Sequence, residues 1–140
     1  MRMTTVRPVP VTFPGSAWPD APVDAELRFD AWLPYAACLA FPLTPCSCTG
    51  SGAQVCWYFS RELLDEGRRG PAGAGDVKIR PGAAGEVLFT LRGPTGEAVV
   101  SAPEEAVTGF LADTFTLVPA GSEPDHLDLD AAVARLLSTG

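Results

Sequence analysis

Val9, Val11 and Phe13 occupy alternate positions near the start of the chain, the spacing of a strand with one buried face. Pro8 and Pro10 confine that strand to a sheet edge, because proline donates no ladder hydrogen bond. A turn follows from Pro14 to Pro22. Ala25, Leu27 and Phe29 then alternate with Glu26, Arg28 and Asp30, the clearest strand in the sequence. Tyr35 to Leu43 is almost wholly apolar and predicts a strand covered on both faces. Thr44 to Gly52 is a loop of Pro, Cys, Ser, Thr and Gly that closes a hairpin. The return strand, Ala53 to Phe59, puts Val55, Trp57 and Phe59 on one side and Gln54, Cys56 and Tyr58 on the other.

Ser60 is placed to cap a short helix from Arg61 to Glu66, which Gly67 ends. Beyond a turn at Gly70 to Gly75, the segments Asp76 to Arg80, Glu86 to Leu91 and Glu97 to Ser101 predict a three-stranded meander. Ser101 and Glu104 have capping-box spacing, and Val107, Phe110, Leu111 and Thr114 recur with helical period, so a helix is expected from Pro103 to Phe115. Asp128 or Asp130 caps a last helix, with Leu129, Val133, Leu136 and Leu137 on one face. The pattern predicts an α+β fold of antiparallel sheets, about seven short strands in all, with one short helix and C-terminal helices.

The chain has 140 residues, enough for a single domain spanning 1–140, in which 1–22 forms the edge strand and turn. Hydrophobic residues make up 46% and charged residues 19%, so a core can form without a metal or a disulfide. The net charge of -7 makes nucleic acid an unlikely partner on average. No apolar run approaches the roughly 18 to 20 residues of a membrane helix, and prolines with Arg7 interrupt the start where a signal peptide is apolar. A cytoplasmic location is the expectation.

Cys38, Cys46, Cys48 and Cys56 lie close together, in the spacing C-x7-C-x-C-x7-C. That spacing matches neither paired C-x2-C knuckles nor mixed Cys/His zinc sites, which favours free thiols over a zinc-stabilised hairpin. Cys38 and Cys56 read as small apolar strand residues, and Cys46 and Cys48 as loop residues.

Catalytic chemistry needs a reactive group with a positioned partner, and the chain's only histidine, His126, stands alone in an acidic turn. Gly67, Gly70, Gly73 and Gly75 follow a helix and lead into a strand, the reverse of a phosphate-binding loop. Glu104 and Glu105 complement a helix dipole and need no further role. Trp57, Tyr58 and Phe59 beside Arg61, Arg68 and Arg69 suggest a stacking platform for single-stranded nucleic acid, a reading the acidic balance opposes. No enzyme activity, cofactor or metal is expected.

Several stretches carry a family resemblance. Leu27-Arg28-Phe29-Asp30 and Pro34-Tyr35-Ala36 come first, then Trp57-Tyr58-Phe59-Ser60-Arg61-Glu62-Leu63-Leu64-Asp65-Glu66-Gly67, which is similar to W-x-F-[AS]-R-x-L-L-x-x-G. Gly73-Ala74-Gly75-Asp76-Val77-Lys78-Ile79-Arg80-Pro81 resembles G-x-G-D-V-[RK]-[VI]-x-P. With Phe110-Leu111, Thr114, Gly121 and Leu127-Asp128-Leu129-Asp130 added, the chain resembles the SsgA-like sporulation and cell-division proteins of actinomycetes over roughly 110 residues. The resemblance implies a Whirly-like α+β fold in homo-oligomers, trimers included. It also implies a non-enzymatic role at the division septum, by septum-site selection, recruitment of the FtsZ ring or septal peptidoglycan remodelling. FtsZ or another SsgA-like protein is the implied partner; the alternative function is single-stranded nucleic-acid binding.

For a partner-binding surface the candidates are Trp32, Tyr35, Arg61, Arg68, Arg69 and Arg80, since aromatics and arginines dominate binding hot spots. The chain departs from the family pattern in three places: Ala31-Trp32-Leu33 replaces small and acidic residues, the hairpin carries four cysteines, and Arg80 stands where many relatives carry Trp.

Overall fold

A computed structural model describes residues 4–42, 54–94 and 96–126. Four strands, β1 (Thr4–Val11), β2 (Val23–Asp30), β3 (Ala36–Pro42) and β4 (Gln54–Ser60), pair antiparallel in chain order. Three more, β5 (Val77–Pro81), β6 (Glu86–Gly93) and β7 (Gly96–Pro103), form a second antiparallel sheet. Helix α1 (Arg61–Gly67) follows β4 directly, and α2 (Glu104–Leu117) and α3 (Glu123–His126) follow β7. The α+β meander architecture is the one that the alternation predicts. The proline-bearing β1 lies at an edge, where a missing N–H leaves no ladder partner wanting.

The two sheets share one core. Leu27, Phe29, Leu39 and Phe59 from the first meet Ile79, Val87, Phe89 and Val100 from the second, and α2 closes the assembly with Val107, Phe110 and Leu111. Paired backbone hydrogen bonds between Thr12 and Ser101 tie the first sheet to β7. Phe59 and Phe89 are in tilted contact across the sheets at 5.8 Å between ring centroids.

Three local expectations change. The capping box does not form: Pro103 is the N-cap of α2, the Ser101 hydroxyl donates to Glu86 instead, and the Glu104 N–H donates to the Gly85 carbonyl at 2.9 Å. Ser101 stays in β7 because pairing with β6 runs on to Pro103, opposite Glu86, and the Thr12 bridge holds Ser101 from the other side, so the helix starts one residue late. Strand β3 is buried from Ala37 to Phe41, yet among the described residues no second layer covers its outer side; Cys38 and Ala40 are shielded there by longer side chains on β2 and β4. The expected last helix from Asp128, and Cys46 with Cys48, lie outside the described residues.

Two glycines explain family motif positions. A Cβ on Gly67 would lie 2.4 Å from the Ile79 side chain, so the end of α1 approaches β5 as closely as glycine alone permits. Gly73 has a φ of +101°, and a Cβ there would lie 2.6 Å from the Val77 carbonyl oxygen.

Candidate protein-interaction face

Alternation along four paired strands sends even-numbered residues of the first sheet away from the core. Val6 faces Arg28, Arg28 faces Cys38 and Cys38 faces Tyr58, one row running across all four strands. The adjacent row is Pro8, Glu26, Ala40 and Cys56. Val6 is half-exposed and Tyr58 is 66% exposed.

The turn from β2 to β3 supplies the rim. The Asp30 carboxylate accepts the Trp32 backbone N–H at 3.0 Å, and the Leu33 N–H donates to the Asp30 carbonyl at 2.9 Å, an aspartate-organised turn. The turn buries Ala31 and Pro34 and exposes Trp32, Leu33 and Tyr35. Its far end is pinned where the Arg61 N–H donates to the Tyr35 carbonyl at 2.8 Å.

Two shallow grooves cross this face. One, of about 400 Å³, runs between Arg28, Asp30, Leu33, Cys38 and Tyr58. The other, of about 460 Å³, lies between Pro8, Pro10, Asp24, Glu26 and Ala40. The face is mainly apolar with an acidic bias: Arg28 is engaged by Glu26, its Nε donating at 3.0 Å, while Asp24 and Asp30 add negative charge. Burial and the neighbouring Cys56 thiol push the Cys38 thiol well above its ordinary range.

The six sequence candidates separate. Trp32 and Tyr35 come together on the rim, and Trp32 keeps 36% of its surface exposed. Arg80 lies on the outer face of the other sheet with Lys78 and Arg92; among the described residues none of these three cations makes an ion pair. Arg68 is held by Asp65 at 2.8 Å, and Arg69 is a more exposed neighbour of the same carboxylate.

Arg61 is corrected outright as a surface candidate, being 2% exposed. Its guanidinium donates to the carbonyls of Thr114 and Val118 and to Glu123, and it stacks over Phe115 at 4.3 Å and Phe29 at 5.2 Å. The stacking platform for nucleic acid is likewise not assembled, since Trp57 and Phe59 pack on the core and leave Tyr58 alone outside. The sequence candidates omitted Val6, Leu33 and Tyr58. The signal for Tyr58 was present in the alternation that set it opposite Trp57 and Phe59.

Comparison with known proteins places this arrangement in a lineage. The model of a family described as Streptomyces sporulation and cell division protein, SsgA, matches residues 23–123. The sporulation-specific cell division protein SsgB of Streptomyces coelicolor is 40% identical over 120 residues, covering 84% of this chain and 83% of the relative. SsgB of Salinispora tropica is 39% identical over 145 residues, covering 97% and 99%.

Among solved structures, one from work on SsgB mutations and longitudinal cell division during sporulation of Streptomyces coelicolor superimposes with a TM-score of 0.77 at 35% identity, covering 91% of this chain and 98% of the other. An SsgA-like sporulation-specific cell division protein from Thermobifida fusca gives a TM-score of 0.71 at 33% identity, covering 96% and 95%. The matched segment takes in the whole of β2 to α2, including the buried arginine and the two close-packed glycines, and this chain belongs to the SsgA family of sporulation and cell division proteins.

Proposed function

We propose that this chain acts in sporulation-specific cell division by holding a partner protein on the outer face of the β1 to β4 sheet, without catalysing a reaction. One observation carries the reading. Of six large apolar side chains exposed among the described residues, five (Val6, Trp32, Leu33, Tyr35 and Tyr58) gather on that face and its rim. Exposed apolar clusters of this kind mark interaction sites, and buried aromatic anchors are worth about 2 kcal/mol or more each. FtsZ, or another SsgA-like protein, is the partner the reading names, and the septum is where it would meet that partner. Self-association through the same face, a trimer included, belongs to the same reading.

The test pairs purified wild type and a Tyr58→Ser/Leu33→Ser variant with purified FtsZ and, separately, with themselves in sedimentation. The expected result is a loss of about tenfold or more in one of those associations, in keeping with the anchor energies. If both are unchanged in a variant with the wild-type fold, the face is not the docking surface.

A second reading, single-stranded nucleic-acid binding, draws support from Lys78, Arg80 and Arg92, which share the outer face of the second sheet. Binding to a labelled oligonucleotide that weakens steeply with added salt, and is lost in Arg80→Ser/Arg92→Ser, supports it; no binding at low salt removes it.

A further inference from the structure

Two thiols meet in the middle of the outer face. In the β3 to β4 register Cys38 faces Tyr58 and Cys56 faces Ala40, so the cysteines are diagonal neighbours on one side of the sheet. Both are free, and the Cys56 thiol is among the neighbours that push the Cys38 thiol upward. Their surroundings differ: Cys38 is buried and Cys56 is exposed.

Diagonal neighbours in an antiparallel pair have Cα atoms about 7 to 8 Å apart, with the Cβ atoms nearer. A disulfide usually spans about 4.4 to 6.8 Å between Cα atoms. The strands must therefore close by about 1 Å locally. Strand β4 is at a sheet edge, with no described strand on its far side to hold it back, and Ala40, opposite Cys56, offers little bulk.

We propose that Cys38 and Cys56 form a dithiol oxidation site, which a peroxide closes to a cross-strand disulfide and a small dithiol reductant reopens. Cys56, the exposed member, meets the oxidant. Its thiolate attacks one peroxide oxygen, the O–O bond breaks, and the departing hydroxide takes up the proton lost by the thiol to leave as water. Cys56 is then a sulfenic acid. Cys38 attacks that sulfur; the S–S bond forms, the S–OH bond breaks, and the Cys38 proton leaves with the hydroxide as a second water. Two thiols have lost two electrons in total, and one hydrogen peroxide has become two waters. The buried partner is suited to this second step, because it stays protonated and unreactive toward solvent until an oxidised sulfur lies in contact with it. This inference stands apart from the docking reading, since it needs only the register that sets the two free thiols diagonally on one side of the sheet.

The experiment treats the full chain with hydrogen peroxide, caps the remaining thiols, and maps chymotryptic peptides without reduction. Chymotrypsin separates Cys38 from the other three cysteines, which the tryptic peptide 29–61 does not. The expected result is a cross-link from the Cys38 peptide to the peptide holding Cys56, reversed by dithiothreitol. A Cys46→Ser/Cys48→Ser variant, with only the proposed pair left, should lose both thiols together as a monomer, its mass falling by two hydrogens. The proposal is overturned if the wild type joins Cys46 to Cys48 and leaves Cys38 reduced. It is equally overturned if the variant gives Cys56-linked dimers or sulfinic acid at Cys56 with Cys38 intact.

Discussion

The guanidinium of Arg61, the first residue of α1, donates to the carbonyl of Val118 at 2.6 Å, just past the end of α2. The same group donates to the Thr114 carbonyl at 3.2 Å and pairs with Glu123 at 2.7 Å. Carbonyls at a helix C-terminus lack intrahelical donors and carry partial negative charge, so a cation there satisfies both needs. The helix itself supplies no basic residue in its last turn. Arg61 thus couples the end of β4 to the C-terminal end of α2, and the arginine of the W-x-F-[AS]-R motif has a structural task in this chain.

Arg61→Ala removes the charged donor of the Val118 carbonyl, leaves the Thr114 carbonyl with only the Val118 N–H, and leaves the Glu123 carboxylate with only backbone N–H donors. A loss of about 1 to 3 kcal/mol is expected, the cost of leaving buried acceptors without a donor, because the Glu123 carboxylate itself is partly exposed. Arg61→Lys should recover only part of it, because one ammonium cannot reach three acceptors in a plane or stack as broadly on Phe115. Urea unfolding followed by tryptophan fluorescence measures both; a loss below about 1 kcal/mol for the alanine variant contradicts the clamp.

Glu123 adds a pH dependence of known sign. Hydrogen bonds from its own backbone N–H and from Arg61 hold its carboxyl below the usual carboxylate value of 4.5. A depressed folded value means that the unfolded chain binds the proton more tightly. The stabilisation is therefore complete above the unfolded value and fades as pH falls through the folded one. Glu123→Gln should be less stable than wild type at pH 7, with the gap closing as the pH drops below about 4.5. Parallel denaturation curves at pH 7 and at acid pH check this, and a gap that does not change with pH contradicts it.

Much of this molecule is legible in its sequence, and the illegible parts have physical causes. Of the seven described strands, alternation located β1, β2 and β4, because a half-buried strand writes its two faces at period two, while an apolar run marked β3 and Pro/Gly turns bounded β5 to β7. Ser60 was legible as a cap because the requirement is local, and its Oγ accepts the Leu63 N–H at 2.9 Å. The same local logic misplaced Ser101, whose hydroxyl and backbone were claimed by Glu86 and Thr12 from distant parts of the chain. Arg61 was misjudged for a similar reason: charge suggests a surface, and its acceptors lie more than fifty residues away. On the candidate face, aromatic type pointed to Trp32 and Tyr35, while Leu33 becomes a neighbour of Tyr58 only through turn geometry and Val6 joins the same face, from the opposite edge strand, only through register.

Gly67→Ala tests the close approach of α1 to β5. The added methyl would meet Ile79 Cβ and Cγ2 at 2.4 Å, and neither atom is the far end of a flexible chain. Overpacking of this kind costs about 1 to 3 kcal/mol. Ile79→Ala removes Cγ2 but keeps Cβ, so in the Gly67→Ala background it should cost less than it does alone without restoring wild-type stability, and a double-mutant cycle reads that coupling directly. Strict additivity of the two single variants contradicts the contact.

Tyr58 and Phe59 are consecutive residues of β4 that point to opposite faces, which makes them a controlled comparison of core against surface. Phe59 is buried and meets Phe89 across the sheets, so Phe59→Ala should cost about 3 to 5 kcal/mol. Tyr58→Ser removes a ring that contributes little to the core, and its stability should stay within about 0.5 kcal/mol of wild type. A tyrosine that costs little to remove from the fold and yet stands exposed beside Leu33 and Cys38 is apolar surface that a partner can cover. Thermal unfolding of the two variants settles the contrast. If Tyr58→Ser falls as far as Phe59→Ala, the ring is buried against something in the folded chain, and the outer face is not available for a partner.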